Sequence, residues 1–82
     1  MKIDSAAHES LRKLGEKIRQ LRLSKGWTLE EAEGHGWPAW RHLQKIETGK
    51  NFTVATLFKV CQLLKIKPSD LLKGIEVKGD LN

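Results

Sequence analysis

Residues 27–50 carry the sequence WTLEEAEGHGWPAWRHLQKIETGK, which indicates two short helices joined by a glycine-rich turn. Thr28 is a good N-cap, and Glu31 stands three residues later, as a capping box requires. Two glycines within three residues then end the first helix of the pair. Pro38 fits the first turn of the next helix, because its missing N–H is harmless there. We therefore predict that helix from Pro38 to Glu47, with Gly49 as its left-handed stop.

Helical patterns also flank this pair, whereas the period-2 alternation of a strand is absent from the sequence. A first helix is predicted to be capped by Ser5 or Ser10 and to end at Gly26. Its apolar residues recur at helical spacing: Leu11, Leu14, Ile18 and Leu21. Gly15 interrupts this helix at a cost of roughly 1 kcal/mol relative to Ala, which indicates a close contact with another helix.

Two more helices are predicted after the central pair. One is capped by Thr53 and is so rich in apolar residues that we expect burial on most of its sides, with Cys61 as a small core residue. The other runs from Pro68 to Gly74. The sequence thus predicts an all-α domain of five short helices over residues 1–74, followed by a polar tail over residues 75–82.

Composition narrows the function. The 82 residues include 15 Lys+Arg and 10 Asp+Glu, a net charge of +5, which favours an anionic partner such as nucleic acid. One cysteine and three histidines give no disulfide and no zinc spacing, so we expect no metal and no cofactor. No nucleophile with its base and no phosphate-binding loop is recognisable, so we do not expect an enzyme. No apolar run predicts a membrane span or a secretory leader, and we expect a cytoplasmic protein.

Three motifs resemble those of one family. Residues 15–22, GEKIRQLR, resemble G-x-x-I-R-x-L-R; residues 46–50, IETGK, resemble I-E-x-G-K; residues 56–72, TLFKVCQLLKIKPSDLL, resemble T-L-x-K-I-A-x-x-L-x-V-x-x-x-x-L-L. In this order they are similar to the Cro/Xre-type, phage-repressor-like helix-turn-helix domains, over about residues 14–72. The resemblance implies a compact five-helix DNA-binding domain and a transcription regulator of bacterial or phage type.

The middle of the chain departs from the family pattern. In an ungapped register, Leu29 stands where the family has a Gln that meets the DNA backbone, Glu33 replaces a small Ala, and Trp37 replaces the turn Gly. A one-residue deletion before Ala32 and a one-residue insertion after Gly36 restore the small residue and the glycine. We prefer the second register, although the Gln is missing in both.

The helix predicted over residues 38–47 has an apolar side with Leu43 and Ile46 and a polar side opposite. Arginine and glutamine can each bond a base in bidentate fashion in the major groove. The predicted base contacts are Arg41, Gln44, Lys45 and His42. The predicted backbone contacts, which offer N–H groups, hydroxyls or polar side chains, are Thr28, Trp37, Ala39, Lys50, Asn51 and Thr53. The tryptophans Trp27, Trp37 and Trp40 are expected mainly to pack in or beside the core.

One recognition helix reads too few base pairs to select a site in a genome, so we expect a homodimer on a palindromic operator in double-stranded DNA. The predicted dimer interface is Ile66, Leu71, Leu72, Ile75 and Val77, with closure of the monomer core as an equal alternative for Leu71 and Leu72. The family resemblance further implies a structural ion pair between Arg22 and Glu47. No small-molecule effector is predicted. The alternative function is a protein–protein interaction module of antitoxin or anti-repressor type on the same fold.

Overall fold

The computed structural model describes residues 5–77, which form five α-helices without a strand in that range. The helices are α1 (Ser5–Ser24), α2 (Leu29–Gly34), α3 (Trp40–Glu47), α4 (Val54–Leu64) and α5 (Pro68–Leu72). The all-α prediction is therefore confirmed. Within residues 5–77, no helix has the length and apolar character needed to cross a bilayer.

Two predicted N-caps are confirmed. The Thr28 hydroxyl accepts the Glu31 N–H at 3.1 Å while the Glu31 carboxylate accepts the Thr28 N–H at 3.0 Å, which completes the capping box of α2. At α4 the Thr53 hydroxyl accepts the Thr56 N–H at 3.1 Å. Local sequence chemistry thus sets where both helices begin.

The predicted start of α3 at Pro38 is wrong, because the helix begins at Trp40. Ala39 is extended, with φ −157° and ψ 120°, so the chain is not yet helical there. The Trp40 N–H donates to Oε2 of Glu33 at 2.7 Å, and this carboxylate from α2 caps the helix in place of a local side chain. The predicted stop is correct, since Gly49 has φ +97° directly after the C-cap Thr48.

The chain after α5 returns along α1. Ser10 lies inside α1 and is not its N-cap, and its hydroxyl donates to the Glu76 carbonyl at 2.7 Å. Lys17 Nζ donates to the carbonyls of Asp70 (2.7 Å) and Lys73 (2.9 Å), which satisfies acceptors at the end of α5. The first residues of the predicted tail therefore lie against the domain, whereas its residues 78–82 lie outside the described range.

The core forms where α3 and α5 pack against α1, with α2 on α3 and α4 on α5. Its buried apolar residues are Leu14, Ile18, Ala32, Trp37, Leu43, Ile46, Val60, Cys61, Leu64 and Leu71. The predictions that Cys61 and Trp37 are core residues are confirmed, and burial raises the pKa of the Cys61 thiol. Trp27 and Trp40 are half-buried at the edge of the core, as expected.

The expectation that α4 is buried on most sides is wrong. Val54 and Phe58 are 65% and 53% exposed, although Val60 and Leu64 on the same helix are buried. A domain of this size hides only about 60% of its unfolded surface, so an apolar helix can keep one side exposed. Apolar density in the sequence therefore overstates burial here.

Gly15 makes the close helix contact that its position indicates. A Cβ at this residue would lie 2.5 Å from the Ile46 carbonyl oxygen and 2.7 Å from that of Glu47. Only a glycine lets the backbones of α1 and α3 approach this closely. Ala32 in α2 is fully buried, and Gly36 in the turn between α2 and α3 has φ +115°. The gapped register assigns these two positions to the small residue and to the turn glycine.

Candidate nucleic-acid interface

A buried ion pair fixes α3 against α1. Arg22 Nε donates to Glu47 Oε2 at 2.7 Å and Nη2 donates to Oε1 at 2.9 Å, with side chains 7% and 4% exposed. The remaining Arg22 nitrogen, Nη1, donates to the Trp27 carbonyl at 2.6 Å. The hydrogen bonds to Glu47 raise the pKa of Arg22, so the guanidinium stays charged although it is buried. The Arg22–Glu47 pair that the family resemblance implies is confirmed.

The polar side of α3 faces solvent. Leu43 and Ile46 are each 1% exposed and pack into the core. The four residues predicted to contact bases all lie on the exposed part of the helix: Arg41, His42, Gln44 and Lys45. The structure thus brings these side chains together on one helix with a buried opposite face.

Two of these side chains are positioned by tryptophans. The Arg41 guanidinium lies 5.2 Å from the centroid of the Trp40 ring, a cation–π distance. The His42 ring stacks on Trp37, with centroids 5.7 Å apart and an interplanar angle of 25°. Both contacts restrict the rotamers of exposed side chains, which reduces the entropy lost when they bind a partner.

The loop that follows α3 adds a second polar region. Lys50 and Asn51 are exposed, and the Lys50 N–H donates to the Lys45 carbonyl at 3.1 Å, which holds the loop on the end of the helix. An open cleft of about 620 Å³ separates this loop from the first half of α1. Its lining residues are His8, Glu9, Leu11, Arg12, Thr48, Gly49, Lys50 and Asn51. Arg12 of α1 and Lys50 therefore line the same cleft, and no sequence pattern indicates that they lie near each other.

One predicted backbone contact is corrected: the Trp37 N–H donates to the Ala32 carbonyl at 3.1 Å and the Trp37 ring is buried. Two other predicted contacts each have one donor in use, since the Thr53 hydroxyl donates to Oγ1 of Thr56 at 3.0 Å and the Thr28 N–H donates to Glu31. The predicted contacts that are exposed and stay candidates are Thr28, Ala39, Lys50, Asn51 and Thr53.

Carboxylates lie at the N-termini of both α2 and α3. The Thr28 backbone N–H and then its hydroxyl lower the pKa of the Glu31 carboxyl. Glu33 holds the Trp40 N–H at the start of α3. Negative charge is favourable at a helix N-terminus, but it also repels an incoming phosphate. Sequence reasoning foresaw the structural role of Glu31 and missed that of Glu33.

The apolar residues predicted to form a dimer interface divide into three groups by their exposure. Leu71 is fully buried and closes the monomer core, which is the alternative to the dimer surface that the sequence left open for it. Ile66 and Ile75 are partly buried against the same core. Leu72 and Val77 are 41% and 66% exposed and lie on the surface of this chain. Whether an apolar residue is buried depends on its contacts with other helices, which sequence spacing alone does not show.

Comparison of the chain with family models, with curated proteins and with solved structures gives no match. The family resemblance is therefore carried by the three sequence motifs alone. In residues 5–77, no three His, Cys, Asp or Glu side chains are grouped as a metal site would need.

Proposed function

We propose that this chain is a sequence-specific DNA-binding transcriptional regulator of Cro/Xre type. In this proposal α2 and α3 form a helix-turn-helix, α3 enters the major groove, and a homodimer binds a palindromic operator. The observation that carries it is the division of α3 into two faces. One face is buried and tied to α1 through Glu47, and the other exposes Arg41, Gln44 and Lys45.

The exposed side chains have the chemistry for base readout. Arg41 can donate two hydrogen bonds to O6 and N7 of a guanine, and Gln44 can bond N6 and N7 of an adenine. Trp40 holds the Arg41 guanidinium before binding. Lys50 and Asn51 supply phosphate contacts at the end of the helix, and Arg12 adds a cation on the opposite side of the cleft.

The second candidate is a protein–protein interaction module on the same fold. The specific observation in its favour is the negative charge beside α3, where Glu31 and Glu33 occupy the N-termini that would face phosphates. Exposed apolar side chains on α4, Val54 and Phe58, offer such a partner a contact surface. The two candidates differ in their dependence on salt.

The test is a titration of fluorescently labelled duplex DNA with the purified protein at several NaCl concentrations. Fluorescence anisotropy measures the fraction of DNA bound. Binding through phosphates makes log K fall linearly with log salt, with a slope of about −0.9 per phosphate contact. We expect Lys50→Ala to reduce the magnitude of this slope by roughly one contact. Lys67→Ala is the matched control, because it removes an exposed cation before α5, away from α3. Binding that is independent of salt, or equal losses in both variants, would contradict the proposal.

A further inference from the structure

The start of α3 is held by a side chain from another helix. Oε2 of Glu33, near the end of α2, accepts the Trp40 N–H at 2.7 Å, although the two residues are seven positions apart in the sequence. The N-cap residue between them, Ala39, has an extended backbone and no side-chain oxygen that could accept a hydrogen bond. Glu33 therefore supplies a side-chain acceptor that the local sequence of α3 lacks.

Trp40, whose N–H is bound in this way, also contacts a proposed base-reading side chain. The Arg41 guanidinium carbon lies 5.2 Å from the centroid of the Trp40 ring, within the range of a cation–π interaction. Trp40 is half-buried at the edge of the core, whereas Arg41 is exposed. The ring thus gives a flexible, exposed arginine a surface to pack on. The contacts form a series from Glu33 through Trp40 to Arg41.

The direction of an arginine side chain determines what it can read in DNA. Bidentate bonding to O6 and N7 of a guanine needs the guanidinium to lie in the plane of the base, and such a contact discriminates against other bases by about fivefold to 150-fold. An arginine that is positioned before binding also loses less conformational entropy in the complex. Because Trp40 is the first residue of α3, loss of its acceptor would free the helix start and the ring on which Arg41 packs.

The charge of Glu33 has a separate effect from its hydrogen bond. A carboxylate beside the helix proposed to enter DNA repels phosphates of any sequence, so it lowers affinity without changing base preference. Glu30, an exposed acid in the first turn of α2, carries the same charge. Within residues 5–77 the hydrogen bond to the start of α3 comes from Glu33 and not from Glu30. The two residues therefore allow charge and position to be tested separately.

We propose that Glu33 is a positioning residue for base readout, which fixes Arg41 through Trp40 and thereby sets the selectivity of α3 at one base pair. Glu33 acts through Trp40 and does not itself read a base. The inference rests on the proposed function, because selectivity can change only if Arg41 contacts a base. The positions of the three side chains are a property of the free protein, however, and can be tested without DNA.

The first measurement is the NMR spectrum of the free, isotope-labelled full chain. Protons above an indole ring are shifted upfield, so the Arg41 δ protons report how closely that side chain packs on Trp40. We expect Glu33→Ala to reduce this upfield shift and to speed hydrogen exchange of the Trp40 N–H. Glu33→Gln keeps an acceptor oxygen and should preserve both signals, as should Glu30→Ala. An unchanged Arg41 shift in folded Glu33→Ala would refute the positioning role.

The second measurement compares two duplexes, the selected sequence and the same sequence changed at the base pair whose preference Arg41→Ala relaxes. We expect Glu33→Ala to reduce the ratio of the two affinities by about fivefold or more, the lower end of the discrimination of a bidentate contact. Glu33→Gln and Glu30→Ala each remove one negative charge, so both duplexes should bind more tightly with an unchanged ratio. An unchanged ratio in Glu33→Ala would overturn the proposal.

Failure of the proposed function gives a different result. If the wild type selects no duplex, DNA recognition is contradicted, and the spectra of the free protein decide the position of Arg41 by themselves. Loss of the Arg41 shift in Glu33→Ala would then support the contact series, and its retention would refute it.

A double variant separates positioning from helix capping. When Ala39→Ser is added to Glu33→Ala, the new hydroxyl can accept an N–H from the second or third residue of α3 but not that of Trp40. The extended backbone at Ala39 suits such a cap. We expect the double variant to regain melting temperature that Glu33→Ala loses, without regaining the Arg41 shift or the affinity ratio. Recovery of the ratio together with the melting temperature would show that Glu33 only caps the helix, which would contradict the proposal.

Discussion

Arg22 of α1 and Glu47 of α3 are joined by two hydrogen bonds in the interior of the domain, and Arg22 also donates to the Trp27 carbonyl. One guanidinium thus connects α1, the segment before α2 and the end of α3. Since both charges are buried, the attraction between them offsets the free energy that each loses when it leaves water. The pair therefore sets the position of the helix whose outer face we propose to contact DNA.

Loss of one partner should be costly. We expect Glu47→Ala to lower the free energy of unfolding by about 3–5 kcal/mol, because the buried Arg22 charge loses its counter-ion. Urea denaturation measures the change. The control is Glu9→Ala, which breaks an exposed pair with Lys13 at 3.8 Å and should cost less than about 1 kcal/mol. A Glu47→Ala protein with wild-type stability and no DNA binding would instead show that Glu47 acts directly on the ligand.

Two glycines in helices should respond to alanine in opposite directions. Gly15→Ala should destabilise the protein despite the better helix propensity of alanine, because its Cβ would lie 2.5 Å from the Ile46 carbonyl oxygen. Gly34→Ala should be stabilising by about 0.5–1 kcal/mol, since nothing lies within 4 Å of the added Cβ. The change in melting temperature of each variant relative to the wild type measures these two effects. Equal effects in both would show that α1 and α3 are further apart than described.

The capping carboxylate of α2 should make stability depend on pH. Hydrogen bonds from Thr28 lower the pKa of Glu31 below its ordinary value of 4.5. A lowered folded-state pKa means stability that is present above pH 4.5 and is lost as the pH falls through the folded-state pKa. Below pH 4.5 the unfolding free energy of the wild type should therefore fall more steeply than that of Glu31→Gln. The control is Glu30→Gln, in the same turn; curves parallel to the wild type for both variants would contradict the role of Glu31.

The proposed dimer should depend on the exposed end of the described chain. Val77 is 66% exposed, whereas Ile75 packs partly against the monomer core, so Val77→Asp perturbs a dimer without perturbing the fold. We expect this variant to sediment as a monomer at micromolar concentrations at which the wild type is dimeric. Val54→Asp, at an equally exposed site on α4, is the control and should leave the dimer intact. Dissociation by Val54→Asp alone would place the interface on α4 instead.

The parts of this structure that the sequence predicts depend on local chemistry. Thr28 with Glu31, and Thr53 with Thr56, fix helix starts through hydrogen bonds within one turn, and Pro68 fixes another through its restricted φ angle. The 3.6-residue period identifies the faces of α1 and α3. The parts that it does not predict depend on contacts between elements. Glu33 displaces the start of α3 through a bond across the turn between helices.

Longer-range contacts show the same limit. Lys17 donates to the Asp70 carbonyl across 53 residues, and Arg12 and Lys50 line the same cleft only because α1 lies beside the loop after α3. Neither arrangement leaves a spacing that a periodic pattern can reveal. For the candidate site, the sequence found the exposed face of α3 and its buried ion pair. It missed the competition for backbone donors at Trp37, which only the folded turn creates.

The most direct test of the central claim is selection of bound sequences from a pool of random duplexes by the full-length protein. We predict enrichment of one palindromic sequence with half-sites about one helical turn apart. On that sequence, Arg41→Ala should lose about 1–3 kcal/mol of binding free energy and relax the preference at one base pair. A pool that stays random after repeated selection would contradict DNA recognition by α3.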